Sequence, residues 1–161
     1  MALQSMRAKA TPKGYHTINP FLRVPDAAAA LEFYRQAFGA TEDFRREMDG
    51  RVLLAVIAIG DSRVMISDQK NEPHAGAGGN PHGNGLGLKI YVDRVDEVFW
   101  RAIGAGASEE QPLEDRFFGE RSGDITDPFG FTWRLAELVE EVPHDEIERR
   151  MHEEIRSSRR T

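Results

Sequence analysis

The spacing of apolar positions changes period in a fixed order along this chain, and the order predicts its elements. In TINPFLRVPD, residues 17–26, apolar and polar positions alternate as in a half-buried strand, and Pro25-Asp26 ends the run. The period then lengthens. Ala30, Phe33, Tyr34, Ala37 and Phe38 fall at i, i+3, i+4, i+7 and i+8, one face of a helix, with Asp26 placed as its N-cap and Gly39 as its C-terminal stop. Three extended runs follow, TEDFRREMD, RVLLAVIAIG and SRVMISDQ, separated by the hairpin dipeptide Asp49-Gly50 and by Gly60-Asp61. The first half therefore predicts β-α-β-β-β.

After KNEPHAGAGGNPHGNG at 70–85, a loop by its Gly, Asn, Pro and His content, the same order returns. LGLKIYV reads as a strand and DRVDEVFWRAIGAG as a capped helix ending in glycine, and ASEEQPLEDRFF, ERSGDITDP and FTWRLAEL supply further extended pieces. Val24 aligns with Val92, the Phe33-Tyr34 pair with Phe99-Trp100, and Ala37–Ala40 with Ala102–Ala105, which points to duplication. The fold class expected is α+β: two tandem β-α-β-β-β modules, about 15–70 and 85–140, each with its own mixed sheet. Residues 1–14 lack apolar periodicity and are expected to be flexible. From about residue 143 an appended helix is expected, with Ile147, Met151 and Ile155 on one face to dock on the domain or on a second subunit.

Composition narrows the function classes. A net charge of −6, with no dense Lys/Arg block before the last residues, argues against a nucleic-acid or anionic-membrane surface. No segment approaches the roughly 20 apolar residues of a bilayer span. The chain has no cysteine, which excludes disulfides, thiolate metal sites and cysteine nucleophiles and fits a reducing cytoplasm. No nucleophile elbow or catalytic triad is recognisable, and GAGG lacks the strand and helix that a phosphate loop needs.

Three stretches, NPFLRVPDAAAALEFYRQAFGA, GDSRVMISD and FFGERSGDITDPFGFTW, resemble the vicinal oxygen chelate superfamily of glyoxalases, bleomycin-resistance proteins and extradiol dioxygenases, within it the PhnB-like branch. The resemblance covers about 17–140 and implies a cavity between curved sheets, completed in a homodimer. In FFGERSG, Phe118 and Glu120 depart from the branch's pattern and Arg121 keeps it, and Arg121 is expected to pair with Glu120 or Asp124. Metal-using members place four ligands at positions that here are Asn19, the Val64–Ile66 region, Gly87 and Arg134. That set lacks competent donors for a divalent cation, so no metal and no cofactor is expected.

Strand alternation still assigns a cavity-facing set: Asn19, Phe21 and Arg23 from the first strand, Lys89 and Tyr91 from the fifth, Thr132 and Arg134 after the Asp127-Pro128-Phe129-Gly130 turn. Three cations near aromatic surface suit a small polar or anionic ligand, unless Arg23 and Arg134 pair with acids such as Asp93 or Glu137. The expectation is a metal-free, homodimeric, cytoplasmic small-molecule-binding protein. The alternative is a metal-dependent lyase, isomerase or dioxygenase whose ligands have moved to His16, His74, His82, Glu120 or Asp127. A third reading makes the chain a subunit or regulator that acts through its tail helix.

Overall fold

A computed structural model describes residues 10–69 and 86–160. The loop expected at 70–85, with His74 and His82, and residues 1–9 of the expected flexible terminus lie outside the described residues. The order of elements is β1 (Phe21–Val24), α1 (Ala27–Phe38), β2 (Thr41–Met48), β3 (Arg51–Ile59), β4 (Ser62–Asp68), β5 (Leu88–Tyr91), α2 (Val95–Gly104), β6 (Ser108–Asp115), β7 (Glu120–Thr126), β8 (Thr132–Leu138) and α3 (His144–Ser158). Two open, mixed, four-stranded sheets result, ordered β1-β4-β3-β2 and β5-β8-β7-β6. In each, the module's first strand runs parallel to its last and the other pairs are antiparallel. The expected duplication is thus a repeat of topology and of register.

Local sequence explains most of these boundaries. Asp26 caps α1, its Oδ1 accepting from Ala29 N at 3.0 Å, and Gly39 closes the helix at φ 66°. Asp49 and Gly50 both adopt positive φ, as a two-residue hairpin turn requires. β1 is shorter than the alternation suggested. Asn19 Nδ2 donates to His16 O at 2.7 Å, Asn19 Oδ1 accepts from His16 N at 3.1 Å, and Pro20 has no N–H for a ladder, so the strand starts at Phe21 rather than near Thr17.

The helix starts are also tied to distant strands. The end of β4 supplies Asp68, which accepts from Ala27 N and from Val52 N, each at 2.7 Å. α2 has no side-chain cap of its own: its N-cap residue is Arg94 in the left-handed region, and Glu137 of β8 instead accepts from Val95 N at 2.9 Å. The two carboxylates occupy corresponding places in the two modules: Asp68 stands opposite Val24 at the last rung of the parallel pairing, and Glu137 follows the Tyr91–Ala136 rung that ends the other.

α1 and α2 cover one face of each sheet and pack on each other, with Arg101 Nε donating to Ala37 O at 3.1 Å. Val24, Tyr34, Ile66, Val95, Phe99, Ile125 and Leu135 are fully buried between helices and sheets. Each large side chain in this layer contributes about 1.5–3 kcal/mol by leaving water. Gly123 sits where a Cβ would lie 2.9 Å from Phe99 Cε2, so the absence of a side chain lets α2 settle onto β7.

The turn between β7 and β8 joins the modules. Asp127 is 3% exposed, and its carboxylate accepts from Tyr34 Oη at 2.6 Å, Trp133 Nε1 at 2.9 Å, Phe129 N at 2.9 Å and Phe131 N at 3.0 Å. Tyr34 belongs to the first module and the other three donors to the second. Burial, then the neighbouring Asp127 charge, raises the Tyr34 phenol, which therefore stays a donor. Phe33, Phe38 and Phe129 pack around this centre with ring centroids 6.1 Å from Phe33.

α3 follows as expected, one residue after Pro143. Of the apolar stripe only Ile147 is half-buried, and the attachment beyond it is polar. Arg150 reaches Glu140 with two bonds of 2.8 and 3.0 Å and Phe117 O at 3.3 Å, whereas Met151 and Ile155 remain 37% and 44% exposed.

Candidate functional site

Helices occupy one face of each sheet, so a candidate site must lie on the other, and strand alternation decides which side chains reach it. On the first sheet the helix-free face receives Phe21, Arg23 and Met65, because Leu22, Val24, Val64 and Ile66 are buried toward α1. The Arg23 guanidinium lies 4.6 Å from the centroid of the Phe21 ring. Phe44 and Arg46 of β2 face the same way, a second Phe–Arg pair at 5.7 Å.

On the second sheet, Trp133 and Leu135 point into the core, which turns Thr132, Arg134 and Ala136 outward beside Lys89 and Tyr91 of β5. β7 adds Ser122 and Asp124 opposite Ala136 and Arg134, and Glu120 opposite Leu138. The expected residues Lys89, Tyr91, Thr132 and Arg134 therefore share one face. Phe21 and Arg23 sit on the other sheet, and Asn19 belongs to the turn that precedes β1.

Lys89 and Arg134 are paired, and with other acids than Asp93 or Glu137. Arg134 Nε and Nη2 bind Asp124 Oδ1 and Oδ2 at 2.7 and 2.8 Å. Glu120 accepts from Lys89 Nζ and from Tyr91 Oη, each at 2.7 Å. Burial alone would raise the Glu120 carboxyl, but the bonds from Lys89 and Tyr91 outweigh it and hold the group below its ordinary value. The Asp124 bond likewise raises the Arg134 guanidinium. Lys89 and Arg134, two of the three cations expected in the cavity, are thus neutralised within the face by acids of β7.

Next to this face a cleft of about 500 Å³ is lined by Tyr91, Val92, Asp93, Glu120, Glu137 and Leu138, all from the second module. Arg121 pairs with neither Glu120 nor Asp124. It alternates to the helix side and binds Asp96 of α2 at 2.8 Å through both Nε and Nη2, and Asp115 at 3.3 Å, so its role is to hold β7 against the start of α2. Glu120 and Asp124 are the site residues that the sequence reading did not assign to the face. Counting the β7–β8 hairpin outward from its turn would have found Asp124 opposite Arg134.

The positions at which metal-using relatives carry ligands do not form a donor set. Asn19 is committed to His16, Val64 and Ile66 face the core, Gly87 has no side chain, and Arg134 is bound to Asp124. Two proposed replacements are committed as well: Glu120 holds Lys89 and Tyr91, and four donors saturate Asp127. The face can offer hydrogen-bond donors and an aromatic wall, and among the described residues no three His, Asp or Glu side chains are grouped so as to hold a metal ion.

The fold agrees with comparisons to known proteins. An uncharacterized protein of Mycobacterium bovis, Mb0911c, is 38% identical over 138 residues, 83% of this chain and 91% of that one. The solved structure of the Arabidopsis thaliana At5g48480 product is 27% identical, covers 76% of this chain and 99% of its own, and superposes with a TM-score of 0.63. A PhnB protein from Bacillus cereus shares the fold at 20% identity and a TM-score of 0.61, over 76% of this chain and 99% of that one. The family model for the Glyoxalase/Bleomycin resistance protein/Dioxygenase superfamily matches residues 15–135, and the chain belongs to that superfamily.

Proposed function

We propose that the protein is a metal-free small-molecule-binding protein that holds a polar ligand against the helix-free face of its second sheet. The observation that carries this reading is the convergence of Lys89, Tyr91 and Arg134 on one face, beside a cleft of about 500 Å³. A stoichiometric binder needs shape and hydrogen-bond donors and no reacting group. The metal-ligand positions of the superfamily, filled here by Asn19, core aliphatics, Gly87 and Arg134, favour binding over metal-assisted chemistry.

A homodimer is part of the proposal. β2 forms an edge of the first sheet, and its Phe44 and Met48, 42% and 55% exposed among charged neighbours, offer a pairing edge with two apolar anchors to a second copy. The absence of cysteine supports a cytoplasmic setting. The test is metal analysis by mass spectrometry of untagged protein purified without chelators, joined to calorimetric ligand screening. Near-zero metal with saturable binding, lost in Arg134→Met, is expected. About one transition metal per chain would replace the proposal with the metalloenzyme alternative.

A further inference from the structure

We infer that the ligand face of the second sheet takes a neutral, carbonyl-rich molecule rather than an anion. This rests on the binding role proposed above and specifies the chemistry of the ligand. In both ion pairs of this face the carboxylate lies deep and the cation lies on top: the side chain of Asp124 is 13% exposed against 45% for Arg134, and that of Glu120 is 9% against 38% for Lys89. An approaching molecule therefore meets N–H groups whose charge has already been cancelled from below.

The donors that remain are specific. Arg134 spends Nε and Nη2 on Asp124, leaving Nη1 to the open side. Lys89 spends one N–H on Glu120 and keeps two, its ammonium 4.8 Å above the Tyr91 ring. Lys89 and Arg134 are direct cross-strand partners at the backbone, and their heads part toward Glu120 and Asp124, four residues apart on β7, which spreads the donors along the face. Thr132 extends the row with a hydroxyl, and Tyr91 and Leu138, exposed by 62% and 54%, supply the apolar flank. A phosphate or dicarboxylate would give up its hydration for two cations whose attraction the carboxylates beneath largely offset, whereas amide or ester oxygens meet the same N–H groups with far less water to lose.

The test uses two probes on the intact protein, N-acetylglycinamide and inorganic phosphate, followed through the Arg134 Nε–Hε and Thr132 amide resonances. The amide is expected to shift both resonances saturably, with an affinity that salt leaves unchanged, and phosphate is expected not to saturate. Asp124→Asn keeps the shape and one acceptor for Arg134 but removes the buried charge, so phosphate binding should strengthen about tenfold. Tighter, salt-sensitive phosphate binding to the unmodified protein would overturn the inference and leave the binding role standing. If neither probe perturbs this face the inference also fails, and if the calorimetric screen is empty as well the binding role falls with it.

Discussion

The Asp127 carboxylate carries a quantitative prediction, because it accepts from donors of both modules at once. In Tyr34→Phe it loses one of four donors and the phenol oxygen disappears with its bond, so no buried partner is stranded on the tyrosine side. A hydrogen bond to a charged group contributes about 1.5–3 kcal/mol, and that loss is expected. Asp127→Asn is the harsher change. Oδ1 accepts from Phe129 N and Phe131 N, and Oδ2 accepts from Tyr34 Oη and Trp133 Nε1. An amide can keep one of these pairs only by turning its NH2 toward the other two donors, for a cost of about 2–5 kcal/mol. Against a total stability of about 5–15 kcal/mol this is a large fraction. A Tm fall of about 4–8 °C is expected for Tyr34→Phe, and more for Asp127→Asn. Denaturant unfolding followed by Trp133 fluorescence in a Trp100→Phe background isolates the buried indole, since Trp100 is 58% exposed and Trp133 only 4%. The combined variant should lose less than the sum, because both changes act on one oxygen. Asp61→Asn in the exposed β3–β4 turn is the control and should stay within about 0.5 kcal/mol of the unmodified protein. If Asp127→Asn also stays within that margin, the carboxylate does not lock the modules and the reasoning is wrong.

Three further outcomes are expected. The Glu120 carboxyl is held below its ordinary value of 4.5, so its pairing stabilises fully above that pH and the contribution disappears as pH falls through the folded value; carboxyl NMR should show this, and Glu120→Gln should remove that part of the acid dependence. Asp68→Ala strands the N–H groups of Ala27 and Val52 and should cost about 2–4 kcal/mol, with faster hydrogen exchange at the start of α1 as the local signature. Gly119 sits at φ 92°, where a Cβ would fall on the Glu140 carbonyl oxygen, so Gly119→Ala should lift the segment leading to α3 and open it to limited proteolysis, while about 1–3 kcal/mol of strain appears in unfolding.

The elements were legible because each carries its signal within a dozen residues. Asp26 and Gly39 bracket α1, Asp49-Gly50 marks a hairpin, and the spacing of Ala30, Phe33, Tyr34 and Ala37 can only be a helix face. The side on which Lys89, Thr132 and Arg134 lie was legible for the same reason, since period-2 alternation fixes it. Partners were less accessible. Reading cations without their cross-strand neighbours made the face look positive, whereas Asp124 and Glu120 cancel Arg134 and Lys89 from a strand ten to thirty-one residues away in sequence. Asn19 shows a third kind of difference. Its alternation matched a strand, but a side-chain bond to the backbone three residues earlier was the better local solution. The Asp127 contact to Tyr34, ninety-three residues apart, had no sequence signal beyond the turn itself.

The borrowed helix caps bear on how the chain acquires its shape. The first turn of α1 is completed by a carboxylate forty-one residues downstream, and that of α2 by one forty-two residues downstream. During synthesis neither helix start can be fully satisfied until the last strand of its own module has left the ribosome, and that strand must also find the first strand in parallel. Each module is therefore acquired as a whole, with little gained by stopping midway. Truncation inside β4 or β8 should remove the preceding helix along with the missing strand, and shortened chains should collapse in module-sized steps.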